Sequence, residues 1–200
     1  MGEALWTVTL ARHGETEWSK SGRHTGRTDL PLTPHGEQAA RALGERLRSQ
    51  HFTQVLTSPL RRAAQTCALA GFGDVAAVED GLLEWDYGDY EGRTTPEILQ
   101  RRPDWKLFRD GCPGGESPSQ IGARGDAVVA RLRAIDGPVL LFSSAHMLRV
   151  LTARWLGLPV DGGRLLILGT ASLSVLGYEH DLSEPVIRRW NLGYTDPLRR

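Results

Sequence analysis

Val139, Leu140, Leu141 and Phe142 form an unbroken apolar run that follows the breaker Gly137-Pro138 and ends at Ser143-Ser144-Ala145-His146. A strand with one solvated face alternates apolar and polar residues. A continuous run after a breaker reads instead as a strand buried on both faces of a parallel sheet. Parallel neighbours can be joined only through crossover connections, usually helices. The rest of the chain must therefore supply strands alternating with helices.

It does. Residues 6–10, 54–57 and 75–78 read as short strands, the first of them alternating and rich in β-branched and aromatic residues. Thr33-Pro34 opens a helix with Ala40, Leu43 and Leu47 on one stripe, and Ser58-Pro59 repeats the cap-then-proline signal for a helix to about residue 69. Thr95-Pro96 starts another helix toward residue 101. Ser117-Pro118 with Gln120 makes a capping box before Ile121, Val128, Leu132 and Ile135. An apolar-periodic helix follows at 147–156, and residues 170–178 and 186–190 read as a closing hairpin. The alternation predicts an α/β fold, a three-layer α/β/α sandwich with a mostly parallel mixed sheet. With no internal repeat or long linker, residues 1–200 are expected to form a single domain, and two hundred residues suffice for a full core.

Ligands of such sheets bind beyond the carboxyl ends of the strands. The strand at 6–10 runs into Arg12-His13-Gly14, where a glycine lets the backbone turn and a ligand approach closely. Alone, these three residues also fit a polar loop after an edge strand. Arg61 is expected in the first turn of its helix, where unpaired N–H groups and a guanidinium make an anion site. Arg62 is its neighbour on a different helix face, so one of the two binds and the other is solvated; we take Arg61 as the ligand. His146 also follows a strand. Two arginines and two histidines on one rim describe a pocket for a dianion with a nucleophile inside it. Residues 82–92 carry four acids, three aromatics and two glycines, which suits a functional loop, although its acids can also pair with surface arginines.

Other chemistries are weaker. His13, His146 and a carboxylate lack the tight spacing of metal ligands, and two arginines would repel the ion, so no metal is expected. Neither G-x-x-x-x-G-K-[ST] nor G-x-G-x-x-G is present. Lys plus Arg balance Asp plus Glu, 24 against 24, which gives no bulk attraction to nucleic acid or an anionic membrane. No apolar run approaches the ~20 residues of a membrane span, and no basic segment followed by an apolar one marks a secretory signal. The two cysteines, Cys67 and Cys112, form neither a disulfide framework nor a CxxC pair. A soluble, cytoplasmic chain is expected.

Taken together, Leu10-Ala-Arg-His-Gly-Glu-Thr16, Thr57-Ser-Pro-Leu-Arg61-Arg-Ala-Ala-Gln-Thr66, Leu83-Glu84 with Tyr90-Glu-Gly92, Gly114-Gly-Glu-Ser117 and Ser144-Ala-His146 resemble the histidine phosphatases, or phosphoglycerate mutase-like superfamily. The pieces stand in that family's order and span most of the chain. The resemblance implies a phosphoglycerate mutase-like fold and a metal- and cofactor-independent phosphoric monoester hydrolase. In it, His13 accepts the phosphoryl group, Arg12, Arg61 and His146 hold its oxygens, and Glu84 protonates the leaving oxygen. The chemistry agrees, because phosphoryl transfer is catalysed largely by positioning and fixed positive charge, and a phosphoenzyme splits one hard step into two.

Two positions depart from the family pattern. Ser19 stands where an asparagine is common, and Met147 where a glycine usually follows the second histidine, its side chain expected to wall the pocket. Thr25-Gly26 lies where the family contacts substrate. Trp18, Trp85 and Tyr87 are candidates for pocket or core, and His24, His35, His51 and His180 for the solvated surface. Mutases of the family resemble longer chains with an added basic segment. The short interval here, with Arg101, Arg102, Lys106 and Arg109, favours an acid-phosphatase-like enzyme for small phosphomonoesters, of fairly broad range. A cofactor-dependent phosphoglycerate mutase and a non-catalytic phosphate- or phosphopeptide-binding relative are the alternatives. The expected partner is a small-molecule substrate, with a homodimer left open.

Overall fold

The computed structural model describes residues 5–193. Among them, six strands build one sheet in the order β3-β2-β4-β1-β5-β6. These are β1 (Val8–Arg12), β2 (Gln54–Thr57), β3 (Ala76–Val78), β4 (Val139–Ser143), β5 (Leu173–Tyr178) and β6 (Pro185–Leu192). The first four are mutually parallel, while β5 pairs antiparallel with β1 and β6 antiparallel with β5. The helices are α1 (Glu17–Lys20), α2 (Pro34–Leu47), α3 (Arg61–Leu69), α4 (Thr95–Leu99), α5 (Leu107–Asp110), α6 (Pro118–Arg133) and α7 (Ala145–Trp155). The α/β sandwich with a mostly parallel mixed sheet is the architecture the alternation predicts.

The apolar run is β4, enclosed between β2 and β1 with all five residues buried. Its alternate side chains serve two cores. Leu140 and Phe142 join Ala11, Val55 and Leu173 against Ala39, Leu43 and Leu47 of α2 and Cys67 of α3. Val139 and Leu141, with Val8, Leu10, Leu56 and Leu176, meet α6 and α7 through Ile121, Val128, Leu132, Leu148, Leu151 and Trp155. Burial on both faces is why this strand carries no polar alternation.

This layering also makes the cleft. The chain leaving β1 continues into α2 on one face, and the chain leaving the adjacent β4 continues into α7 on the other. Connections that part to opposite sides open a crevice at the carboxyl ends of the two strands. The edges of the elements differ from the sequence reading in small ways. β1 begins at Val8 and extends through Arg12, which pairs with Ser143. α7 starts two residues before its periodicity becomes visible, at Ala145.

The start of α3 differs in a way that matters. Its N-cap is Leu60, without a side-chain cap. Ser58, the expected cap, accepts only the Leu60 N–H, at 3.4 Å. The Arg61 N–H is instead held by the Asp29 carboxylate at 2.6 Å, from a loop 32 residues earlier in the chain. A long-range acid thus occupies the helix terminus that the sequence reading offers to a ligand.

Candidate active site

His13 sits one residue past β1 and is 4% exposed. Its N–H continues the ladder to Ser143 O at 3.0 Å and its carbonyl accepts from Ala171 N–H at 3.0 Å, so the backbone is fixed by β4 on one side and by the turn before β5 on the other. The ring Nδ1 lies 2.7 Å from the Gly14 carbonyl. A carbonyl can only accept, so Nδ1 carries the proton and Nε2 keeps a free lone pair. Burial, then the nearby charges of Arg62 and Arg12, hold the imidazole well below its ordinary range. His13 is therefore held neutral, with Nε2 unprotonated.

Gly14 is needed here for a reason other than ligand approach. A Cβ on it would lie 2.4 Å from the Gly36 carbonyl oxygen, so the chain just after β1 and the first turn of α2 meet backbone to backbone. Its N–H donates to Thr66 Oγ1.

Arg12, the last residue of β1, donates through Nη1 to Leu168 O, and its buried Nε has no hydrogen-bond partner within the described residues. Burial lowers its pKa to about 10, which leaves it cationic at neutral pH. An unpaired, buried guanidinium nitrogen is costly, and an anion in the pocket would favour the charge that Arg12 carries there.

Glu84 reaches the same cleft from the irregular 82–92 segment. Its Oε1 accepts the N–H groups of Met147 (2.7 Å) and Trp85 (2.9 Å), and Oε2 accepts that of His146 (3.0 Å). The carboxyl group is therefore seated on the first turn of α7, the natural place for an acid on a helix. Arg124 of α6 holds the segment from behind, donating to the carbonyls of Gly81, Leu83 and Glu84 and pairing with Glu116 at 2.6 Å. His146, the second residue of α7, has its Nδ1 2.6 Å from the Tyr87 hydroxyl. Burial, then the charges of Arg149, His24 and Arg12, keep its ring well below the ordinary histidine range. Arg12, His13, Glu84 and His146 line one cavity of about 230 Å³.

The histidine phosphatase superfamily (branch 1) profile matches residues 8–193, nearly the whole described chain. The chain belongs to the histidine phosphatase superfamily. It is 40% identical over 188 residues to the acid phosphatase of Mycobacterium tuberculosis, covering 92% of each chain. It is 39% identical over 184 residues to the sedoheptulose 1,7-bisphosphatase of Saccharomyces cerevisiae, covering 76% of this chain and 68% of that one. A probable phosphoglycerate mutase of Photorhabdus laumondii is 34% identical over 185 residues, with 86% and 85% covered. Among solved structures, the product of open reading frame Rv3214 of M. tuberculosis superposes with a TM-score of 0.89 at 39% identity, covering 95% of this chain and 99% of that one.

The histidine phosphatase site departs from the sequence reading first at the second arginine. Arg61 is exposed, while the adjacent Arg62 is fully buried. Arg62 donates through Nε to Ser144 Oγ, through Nη1 to Thr28 O, and through Nη2 to the carbonyls of Thr25 and Gly26. Consecutive helical residues diverge by about 100°, so only one can face the sheet end, and the Asp29 cap turns α3 so that Arg62 does. Arg62, not Arg61, is the arginine brought close to His13.

Ser19 lies at the cavity wall, its hydroxyl donating to Thr16 O and accepting the Thr16 N–H in the cap of α1. Thr25 and Gly26 act through their backbone, as acceptors for Arg62. Gly26 has no room for a Cβ, with Trp85 O and Glu91 Oε2 within 2.7 Å of where one would sit. Glu91 accepts the N–H groups of Gly26 and Thr28 and so clamps the loop that clamps Arg62. Met147 does not wall the cavity. Its side chain is fully buried in the α6–α7 core, the sulfur 3.2 Å from Arg124 Nη1, and only its N–H faces Glu84.

His24 is not a solvated surface residue: its ring packs 4.8 Å from that of Tyr87 and 6.2 Å from that of His146, and burial lowers its pKa to about 4. Trp85 belongs to the core, fully buried against Phe108. Arg149 is a further cation of the site that no sequence motif marks, one helical turn after His146 and on the same face. It lines the cavity over the Phe108 ring and has no carboxylate partner within the described residues.

Proposed function

We propose that this chain hydrolyses small phosphomonoesters through a phosphohistidine at His13. The observation that carries this reading is the pairing, in one 230 Å³ cavity, of a histidine with a bare Nε2 and a carboxyl group on the opposing helix terminus. Binding alone would need the cations but no acid. The similarity to an acid phosphatase and to a sedoheptulose 1,7-bisphosphatase supports the same reaction class.

The residues divide the work as follows. Arg12 lines the cavity and offers a fixed positive charge to the phosphoryl oxygens, and Arg62 adds a second beside His13. Phosphoryl transfer spreads charge over these oxygens, and donors held in place before the reaction lower its barrier. His13 Nε2 attacks phosphorus as the ester P–O bond breaks, and the leaving oxygen takes a proton from Glu84. Water then gives its proton to the Glu84 carboxylate and attacks the phosphohistidine. The N–P bond breaks, and inorganic phosphate and neutral His13 are restored.

No helix among the described residues is long and apolar enough to cross a membrane. A cytoplasmic location belongs to the same reading, supported by two buried, unpaired thiols at Cys67 and Cys112. The test is a panel of phosphomonoesters including 3-phosphoglycerate, assayed with and without 2,3-bisphosphoglycerate. Release of inorganic phosphate is expected. Isomerisation to 2-phosphoglycerate without release would instead establish the mutase, and no turnover of any ester would leave only the binding module.

A further inference from the structure

The pocket holds two histidines with different neighbours. His13 places Nδ1 against a carbonyl, which cannot donate. His146 places Nδ1 against a hydroxyl, 2.6 Å away, which can. The Tyr87 hydroxyl makes no other hydrogen bond within the described residues, and the residue is 2% exposed. Its proton therefore has one acceptor within reach. If Nδ1 of His146 were itself protonated, the tyrosine proton would be buried without a partner, an arrangement native interiors avoid. The next acceptor near Nδ1, Glu84 Oε2, is 4.0 Å away and already holds the His146 N–H.

We propose that Tyr87 is a positioning residue that sets the tautomer of His146: the hydroxyl donates to Nδ1, so the ring proton sits on Nε2 and the neutral imidazole donates it to the phosphoryl group. This rests on the phosphatase reading of the site. The two imidazoles then carry opposite tautomers for opposite tasks. His13 shows a lone pair to phosphorus, and His146 shows an N–H to a phosphoryl oxygen. With the wrong tautomer, His146 would face that oxygen with a second lone pair and repel it.

The surroundings agree. Burial, joined by the charge of Glu84, pushes the Tyr87 hydroxyl well above its ordinary range, so it keeps the proton it must donate. The other titratable groups around it are Arg62, Arg12, Arg149, Cys112, Glu91 and His24. Around His146 are Arg149 of its own helix, Arg12 from β1, His24 from the loop after α1, and Glu84.

Tyr87→Phe removes the hydroxyl and keeps the ring that packs on His24. The test is 15N NMR of histidine-labelled protein, with the His146 signals assigned by their absence in His146→Gln. The wild type is expected to show an unprotonated Nδ1 and a protonated Nε2 at His146, and Tyr87→Phe to lose that single tautomer. A parallel measurement compares kcat/KM of the two proteins. About a tenfold deficit is expected in Tyr87→Phe, the size of one hydrogen bond lost to a charged phosphoryl group. A protonated Nδ1 in the wild type overturns the proposal, as does a Tyr87→Phe spectrum identical to the wild type or an undiminished kcat/KM. The wild-type spectrum decides the tautomer even if the variant does not fold. Because it needs no turnover, it separates failure of this proposal from failure of the phosphatase reading, which the ester panel reports.

Discussion

Replacing Arg62 by alanine should cost both stability and turnover, and replacing Arg61 should cost neither. The Arg62 guanidinium ties the carbonyls of Thr25, Gly26 and Thr28 to Ser144 Oγ at the start of α7, through four contacts of 2.9–3.2 Å. Each lost contact leaves an acceptor short of a donor, at about 1 kcal/mol apiece once the loop relaxes and water enters, or about 4 kcal/mol for the four. Release of a buried charge from its desolvation penalty offsets part of this, leaving a net loss of about 3 kcal/mol. That is a large share of the 5–15 kcal/mol that holds a typical domain together. Arg61 is exposed and makes none of these contacts, so its removal should stay within about 0.5 kcal/mol. Urea denaturation of the two variants measures stability, and hydrolysis of p-nitrophenyl phosphate measures turnover. Arg62→Lys separates the roles. It keeps the charge near His13 but lacks the planar fork that reaches several carbonyls at once, so stability should fall while part of the activity survives. If Arg61→Ala is as damaged as Arg62→Ala in either assay, the assignment of the second arginine is wrong.

Two further outcomes follow from the titrating groups. His24 has a folded pKa of about 4 against ~6.5 unfolded. As pH falls, the unfolded chain therefore takes up its proton first, so this stability is whole above pH 6.5 and drains away toward pH 4. By linkage the loss at pH 4.5 is about 2–3 kcal/mol; His24→Asn should show a correspondingly flatter dependence of its urea midpoint between pH 7 and 4.5, and an unchanged slope would contradict burial of this ring. Glu84→Gln keeps the side-chain shape but has no proton to give. It should slow esters of simple alcohols by about 10²–10⁴ and p-nitrophenyl phosphate, whose leaving group needs little protonation, far less; equal losses on both would remove Glu84 from the acid role.

The parts of the molecule legible in the sequence are those written in local pattern. The apolar run of β4, the caps at Thr33 and Ser117, and the strand ends carrying His13 and His146 all depend on neighbours in the chain. What was misread depends on distant residues. Whether Arg61 or Arg62 faces the sheet is decided by the turn at which α3 starts, and that start is capped by Asp29 across 32 residues. Met147 follows a histidine that faces the cavity, yet its side chain falls on the core side of α7 and packs beside Arg124. His24 looks like any polar loop histidine until Tyr87 and Trp105 close over it. Arg149 was within reach of the sequence, one turn beyond His146. Tyr87 was not, because aromatic residues in an acidic loop read equally as core, and only the 2.6 Å contact gives its hydroxyl a task.

The central claim is a covalent phosphoryl group on His13. Acid-sensitive, base-stable label on the enzyme, trapped by rapid quenching during turnover of a phosphomonoester and located by peptide mass spectrometry, tests it most directly. The label is expected on the peptide containing His13, absent in His13→Ala, with turnover abolished in that variant. Near-full turnover by His13→Ala, or a label on any other residue, would contradict the account.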